Sequence, residues 1–498
     1  MVVACSRSGK LVGAIAAMAM VAGLEVSGQP SLAQGEPEPI CEEALAGAID
    51  EIRLNHGPGS RWGILVESLG GDRTFYRREA QQYFLPASNV KLLTTAAALT
   101  HLGPDYRVRT SVYRTETGLQ IVGRGDPTLT GEHLETLAQQ VAAAGVTHVG
   151  ELWLDASYFP GEAVNPRWQW EDVQAGYGAP ANSAIVDRNE IPFTLHPQEI
   201  GEPLRVEWER EEDGSPGRWW LDNRSRTVAA EESEWLRLGR GFRDPMITIE
   251  GELAAGSEPA AVSVAQVYPN EAFLDHFWRQ LQAQGLPVGS RRITEVPRLV
   301  KGVEIAAVDS PSLGSLVERT NRVSDNLYAE VLLRWLGVTA SPELLSEEES
   351  SGRPLAAAER GLQVMSRVLA QLGVDEELFQ VNDGSGLSRV NWVSPQALVQ
   401  TLQGMARSPQ GSLYRASLPV AGESGTLRYR LGDSPVAIQA KTGTIAGVSA
   451  LSGYLEHREY GTLTFAIMVN QSTRSVSEQR AAIDDIVRLL TQVRPCSG

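Results

Sequence analysis

Lysine is almost missing from this sequence. Of its 44 basic residues only four are lysines, Lys10, Lys91, Lys301 and Lys441. A guanidinium satisfies any need for fixed positive charge but does not give up its proton, so positions that keep lysine are candidates for chemistry that needs a titratable amine. Cysteine is scarce too, limited to Cys5, Cys41 and Cys496. No C-x-x-C or H-E-x-x-H spacing is present, which excludes the common zinc sites, and nothing implies a metal or a cofactor. The seven histidines are scattered and no G-x-S-x-G elbow appears, which speaks against a Ser-His-Asp hydrolase. With a net charge of −17, nucleic acid and anionic membrane surfaces are excluded as electrostatic partners.

Long apolar runs are lacking after the N-terminus, where nothing approaches the roughly 18 residues a spanning helix needs. The N-terminus itself has Arg7 and Lys10 before an apolar run from Leu11 to Leu24, then the small-residue site Ser31-Leu32-Ala33. This layout reads as a signal peptide over residues 1–33, with an uncleaved anchor as the alternative. Cleavage delivers a protein to the periplasm or cell envelope with at most loose membrane association. Cys41 and Cys496 then lie near opposite ends of the mature chain, and sequence alone leaves open whether they form a disulfide or two thiols.

What remains is a folded, soluble chain of 498 residues, 42% hydrophobic and 21% charged, long enough for two or three domains. Three short motifs carry candidate chemistry. Ser88-Asn89-Val90-Lys91 follows Pro86 and opens the Ala-rich stretch Leu92–Leu99. Pro86 and Ser88 suit a helix start, and helical spacing of i and i+3 brings the Lys91 amine towards the Ser88 hydroxyl. The free N–H groups of a helix N-terminus suit an oxyanion. Ser324-Asp325-Asn326 lies between two apolar helical stretches, where a turn can face a cleft. Lys441-Thr442-Gly443-Thr444 follows Val436–Ala440 and precedes two more apolar runs, which together read as antiparallel strands. Gly443 permits close approach to the strand backbone. Taken singly, each motif is commonplace: a helix-cap serine, a surface turn, an edge-strand lysine.

The order S-x-x-K, S-D-N, K-T-G is the signature of penicillin-binding proteins and serine β-lactamases. The chain resembles the D-alanyl-D-alanine carboxypeptidase/endopeptidase family, the class C low-molecular-mass penicillin-binding proteins. Further blocks carry the resemblance through nearly the whole mature chain. They include His101–Tyr106, Gly123–Leu129, Trp168–Asp172, Ile185–Asn189, Asp383–Arg389 and Leu418–Gly422. The implied fold is α+β, an antiparallel sheet flanked by helices. Ser88 and Ser324 are 236 residues apart, far more than in class A β-lactamases, so a large insertion separates them. The expected organisation is a discontinuous catalytic domain over 41–105 and 300–498, with a mostly β insertion over 106–299 that the resemblance divides into two small domains. Glu151–Asp155 and Met246–Glu250 read as strands, Glu209–Gly214 as a turn and Ser341–Pro354 as an exposed loop. Ile483–Val493 is amphipathic, and Asp484 and Asp485 favour packing on the protein.

The resemblance implies a periplasmic serine D-Ala-D-Ala carboxypeptidase and endopeptidase acting on peptidoglycan stem peptides and cross-links, with β-lactams as covalent inhibitors. Ser88 is the expected nucleophile and Lys91 the base. Ser324 relays a proton, Asn326 holds the acyl side's amide, and Lys441 with Thr442 binds the terminal carboxylate. The backbone N–H groups of Ser88 and Thr444 form the oxyanion hole. An ordinary lysine, with a pKa of about 10.4, is a poor base at neutral pH. A second ammonium at about 6 Å, through an effective dielectric near 20, costs roughly 3 kcal/mol or about two pKa units. Lys441 is the expected neighbour. Asp172 and Arg389 resemble contacts to the amino and carboxylate groups of the stem peptide's diamino acid. Without the resemblance, Trp168 and Trp170 would read as core. Ala446 stands where relatives carry a polar side chain. The competing readings are a β-lactamase or esterase of the same fold, distinguished by rapid penicillin turnover, and a catalytically silent wall-binding protein, against which the intact motifs speak.

Overall fold

A computed structural model describes residues 3–4 and 39–496, apart from 58, 211–212, 215–218, 242–243, 297–301 and 346–354. The expected signal segment, Lys301 and most of the 341–354 loop fall outside the described residues. The central feature is a five-stranded antiparallel sheet in the order Ile438–Ile445, Val448–His457, Gly461–Asn470, Arg61–Ser68, Thr74–Arg78. Two of its strands precede Ser88 and three lie between residues 438 and 470, so the sheet closes only when distant parts of the sequence meet.

Alternation along the strands sorts their side chains between two cores. Ile64, Val66, Phe465, Ile467 and Val469 pack with Leu45, Ile49, Ile483, Ile486 and Leu490 from the terminal helices Glu42–Asn55 and Val476–Gln492. Leu65, Ala466 and Met468 point the other way, into a core shared with helices Val90–Leu102, Asn326–Val338, Ala357–Gln371 and Pro395–Arg407. A sheet covered on both faces explains why Val448–His457 and Gly461–Asn470 are almost wholly apolar or small and buried. The amphipathic C-terminal stretch belongs to this packing: its apolar side is buried, and Asp484 is paired with Arg430 at 2.6 Å.

Between Leu102 and Leu313 lie two further apolar cores. The first lies beneath a sheet ordered Val288–Thr294, Val149–Asp155, Gly118–Val122, Arg109–Arg114, Val303–Asp309, with helices Gly131–Ala143 and Pro269–Ala283 contributing Leu137, Val141, Phe273 and Phe277. Its edge strand Val303–Asp309 pairs with Arg109–Arg114. The sheet therefore runs past residue 299, where sequence placed the boundary, because an edge strand must be counted with the neighbour it pairs with. The second core joins Ile191, Phe193 and Leu195 to Leu236, Ile247, Ile249 and Leu253, from two small β-sheets. Strands dominate this region, including Val149–Asp155 and Met246–Ala254, and only the first core has long helices against it.

The two ends of the stretch 39–496 meet. Ile40–Cys41 runs parallel to Val493–Arg494, and Cys41 is disulfide-bonded to Cys496 with their Cα atoms 4.9 Å apart. Among the described residues no helix is long and apolar enough to cross a membrane. The disulfide closes a loop of sequence separation 455, so its main effect is to restrict the unfolded chain. Replacing both cysteines with serine is expected to lower stability by about 2–5 kcal/mol. Thermal unfolding under oxidising conditions checks this, with no difference expected once both proteins are measured in reductant.

Candidate active site

Ser88 sits in a single 3₁₀ turn, Ala87–Asn89, that runs directly into helix Val90–Leu102. Ala87 takes φ +48, a left-handed conformation that costs an alanine energy and turns the serine out at the mouth of the helix. Two glycines make room for this turn. A Cβ on Gly443 would stand 2.7 Å from the Pro86 carbonyl oxygen and 3.2 Å from the Ser88 nitrogen, and one on Gly386 would collide with the Ala87 carbonyl. Gly443 was expected to admit a ligand; what it admits in this structure is the Ala87–Asn89 turn, against the edge strand Ile438–Ile445.

One turn along the helix, the Lys91 amine is fully buried and lies 3.1 Å from Ser88 Oγ. It also donates to Asn326 Oδ1 and to the Ser385 carbonyl, each at 2.6 Å. As a neutral amine it has two N–H bonds for the two shorter contacts, which leaves its lone pair for the Ser88 hydroxyl. Burial pushes Lys91 down to about 8, against the opposing pull of Asp383, Asp325 and Glu330. Burial likewise pushes Lys441 well below the usual lysine range, and Lys91, when charged, adds to that. The two amines share one buried region, as sequence suggested. Burial is the larger cause for both, and the repulsion between them falls on Lys441.

Ser324 occupies the break between helices Leu313–Arg322 and Asn326–Val338, with φ +62. Its hydroxyl accepts from Lys441 Nζ at 2.8 Å, and the same amine donates to the Thr442 carbonyl at 2.9 Å. Lys441, expected to meet a substrate carboxylate, is wholly buried and turned towards Ser324. Asn326, expected to hold a substrate amide, uses its oxygen on Lys91 and donates from its nitrogen to the Tyr177 carbonyl at 2.9 Å. The hydroxyl of Thr442 donates to Thr426 at 2.7 Å, and that of Thr444 accepts from Arg480 at 3.2 Å.

The loop opposite is built around two buried carboxylates. Asp383 accepts from the backbone of Gly386 and Ser388 and from Trp168 Nε1 at 2.8 Å. Glu330 accepts from the backbone of Gly384 and Ser385 while pairing with Arg334 at 3.0 Å. Together they aim the Ser385 carbonyl at Lys91. The two tryptophans therefore part company: Trp168 is buried on Asp383, and Trp170 is half exposed.

Asp172 and Arg389 reach the same rim by different routes. The carboxylate of Asp172 accepts from Tyr177 OH at 2.9 Å, and burial raises its pKa against the pull of Tyr177 and Arg389. Arg389 donates to Gln169 Oε1 at 2.8 Å and to the Ala446 carbonyl at 3.2 Å. At position 446 it is thus the backbone that meets Arg389, whichever side chain stands there. Tyr177 ties the rim to the centre, its carbonyl on Asn326 and its hydroxyl on Asp172. Sequence reasoning passed over Tyr177, Glu330, Thr426, Arg480 and the arginines around Asp325. Glu330 had a signal, an acid in the middle of an apolar helix; the others had none.

A family model for the D-Ala-D-Ala carboxypeptidase 3 (S13) family matches residues 45–493. The chain belongs to that family. Its members are serine hydrolases of the penicillin-binding type, and this chain is an enzyme of the D-Ala-D-Ala carboxypeptidase class. The D-alanyl-D-alanine carboxypeptidase of Actinomadura sp. (strain R39) is 33% identical over 437 residues, 83% of this chain and 78% of that protein. The D-alanyl-D-alanine carboxypeptidase DacB of Haemophilus influenzae is 24% identical over 83% of this chain and 86% of its own length. The crystal structure of penicillin binding protein 4 (dacB) from H. influenzae superposes with a TM-score of 0.74 at 23% identity, covering 89% of this chain and 98% of that one. The S13 fold is thus α+β, with helices on both faces of the antiparallel sheet, as the motifs implied.

Because Lys91 becomes a free amine as pH rises through about 8, the reactivity of Ser88 is expected to climb between pH 6.5 and 9 and then level. Lys91→Arg cannot be rescued by raising pH, since the guanidinium keeps its proton. A loss of about 10²–10⁴-fold at every pH is expected, read from the rate of covalent labelling by a fluorescent penicillin.

Proposed function

We propose that the protein is exported to the periplasm and there cleaves D-alanyl peptide bonds of peptidoglycan stem peptides and cross-links through an acyl-enzyme on Ser88, and that β-lactams acylate the same serine. The observation that carries this reading is the fully buried amine of Lys91, 3.1 Å from Ser88 Oγ, with its other two contacts already satisfied. The neutral amine takes the hydroxyl proton as Ser88 Oγ bonds to the carbonyl carbon of the penultimate D-alanine. The oxyanion forms against the backbone N–H groups of Ser88 and Thr444. Close contact between Gly443 and the nucleophile's turn supports this pairing. As the C–N bond breaks, Ser324 relays to the leaving amine the proton that Lys91 took from Ser88. The Lys441 amine donating to its hydroxyl supports that role.

The substrate's terminal carboxylate then falls to the hydroxyls of Thr442 and Thr444. Lys441 acts behind Ser324, and Arg480 lends positive charge next to Thr444. A carboxypeptidase step releases D-alanine and an endopeptidase step releases the partner stem whose amine had formed the cross-link; in both, water then cleaves the Ser88 ester, freeing the acyl group as a carboxylic acid. Export rests on the N-terminal segment, and the disulfide between Cys41 and Cys496 suits an oxidising compartment. Asp172 receives the free amino group of the stem's diamino acid and Arg389 its carboxylate. The part-buried carboxylate of Asp172 gains most from a cationic partner, because burial is what raises its pKa.

Incubating the purified protein with muropeptides and separating the products tests the reading: loss of terminal D-alanine and opening of cross-links are expected. Ser88→Ala should abolish labelling by fluorescent penicillin, and persistent labelling at another serine would overturn the assignment. Rapid release of hydrolysed penicillin in place of a long-lived adduct would make the protein a β-lactamase. Asp172→Asn is expected to lower kcat/KM about tenfold for stem peptides with a free diamino-acid amine, a loss of about 1.4 kcal/mol. An unchanged value would remove Asp172 from the binding site.

A further inference from the structure

Three consecutive non-glycine residues of the inserted region, Asp187, Arg188 and Asn189, take left-handed φ values of 46, 62 and 52. Such a run is unfavourable and persists only where surrounding contacts over-determine it. The contacts are present on both sides. Asp187 accepts from the Gly131 backbone at 3.2 Å and from Arg210 at 2.8 Å, and His276 approaches it at 3.8 Å. Asn189 donates to the Pro180 carbonyl at 2.9 Å and to Asn182 at 2.7 Å. The effect is to throw the Arg188 side chain out of the inserted region, where one side of its guanidinium rests on Glu190 at 2.9 Å and Nη1 donates to Asp325 Oδ2 at 2.6 Å.

Asp325 is the middle residue of the second motif. On one side of it Ser324 holds Lys441; on the other Asn326 holds Lys91. Its carboxylate is nearly inaccessible, caps the following helix through the Tyr328 backbone at 3.3 Å, and also receives Arg319 at 3.2 Å. Ser324, like the Asp187–Asn189 run, is left-handed, so two strained turns face each other across this ion pair.

We propose that Arg188 is a positioning residue for acylation: the inserted region uses it to hold the Ser324–Asn326 turn between the two lysines and to compensate the carboxylate buried there. This rests on the reading of Ser88 and Lys91 as nucleophile and base. The groups facing Lys91 are Asp325, Glu330 with its partner Arg334, Asp383 and Lys441; those facing Asp325 are Arg188, Arg319 and Lys91. Arg188 itself faces Asp325, Glu190 and Tyr328. Without Arg188, Arg319 still favours the ionised form of Asp325, so the negative charge acting on Lys91 is less compensated. Its amine then holds its proton to higher pH, and less free base is present at neutrality.

The test is the pH profile of acylation by a fluorescent penicillin, measured on the full mature protein from pH 6 to 10 for wild type, Arg188→Met, Arg188→Lys, Asp325→Asn and the double variant Arg188→Met/Asp325→Asn. Arg188→Met is expected to slow acylation on the order of tenfold at pH 7, with its rising limb moved up by about one pH unit and the gap closing in alkali. Arg188→Lys should lie between it and wild type. The double variant should regain most of the neutral-pH rate, because asparagine still caps the helix and leaves no charge to compensate. Profiles for both Arg188 variants that run parallel to wild type at every pH, even with a lowered Tm, would overturn the proposal, as would losses that simply multiply in the double variant. Should Arg188→Met fail to fold, Arg188→Lys against wild type and the double variant against Asp325→Asn make the same comparison. A wild-type protein that takes no label would instead remove the reading on which the proposal rests.

Discussion

A lysine amine buried in a protein interior must be neutral or be compensated, because removing an ammonium from water costs far more than one ordinary contact returns. Two such amines share one region here, and nearly every feature of the site follows from managing them. Lys91 is placed on oxygen acceptors whose number suits either protonation state, and Lys441 rests on a hydroxyl and a carbonyl. Asp325, Glu330 and Asp383 supply opposing charge, and each is engaged by arginine, backbone N–H groups or tryptophan. The result is an amine poised near neutral pH beside a hydroxyl, which is what a general base requires.

Backbone conformation carries as much of the site as charge does. The turn at Ala87, the left-handed Ser324 and the run through Asp187–Asn189 are all conformations that a free chain avoids. They are held by two glycine approaches, by the disposition of Asp383 and by the ion pair between Arg188 and Asp325. Local strain of this kind is affordable because the two cores on either side of the sheet are large and continuous.

The inserted region is more than an appendage to the catalytic fold. Trp168 holds Asp383, the Tyr177 carbonyl receives Asn326, Gln169 receives Arg389 and Arg188 reaches Asp325. Four contacts, two of them from the adjacent Trp168 and Gln169, put it in touch with the loop that faces Lys91, the second motif and the rim.

The grouping of the centre's residues was legible in the sequence because each piece of it is local. An i, i+3 pair on a helix, a polar turn between apolar helices and a lysine entering a strand are each readable from a few residues, and the near absence of lysine elsewhere marked out Lys91 and Lys441. The antiparallel strands and the packed C-terminal helix were readable for the same reason, from the spacing of apolar residues. Tertiary structure alone decided the rest: the contacts of Asn326 and Lys441, the burial of Trp168 but not Trp170, the meeting of Cys41 with Cys496, the edge strand beyond residue 299, and the contacts made by Tyr177, Arg188 and Arg480. Each depends on residues far apart in the chain coming within hydrogen-bonding distance. Periodicity and motif spacing record only what lies within a few residues along the backbone, so they carry no trace of such pairings.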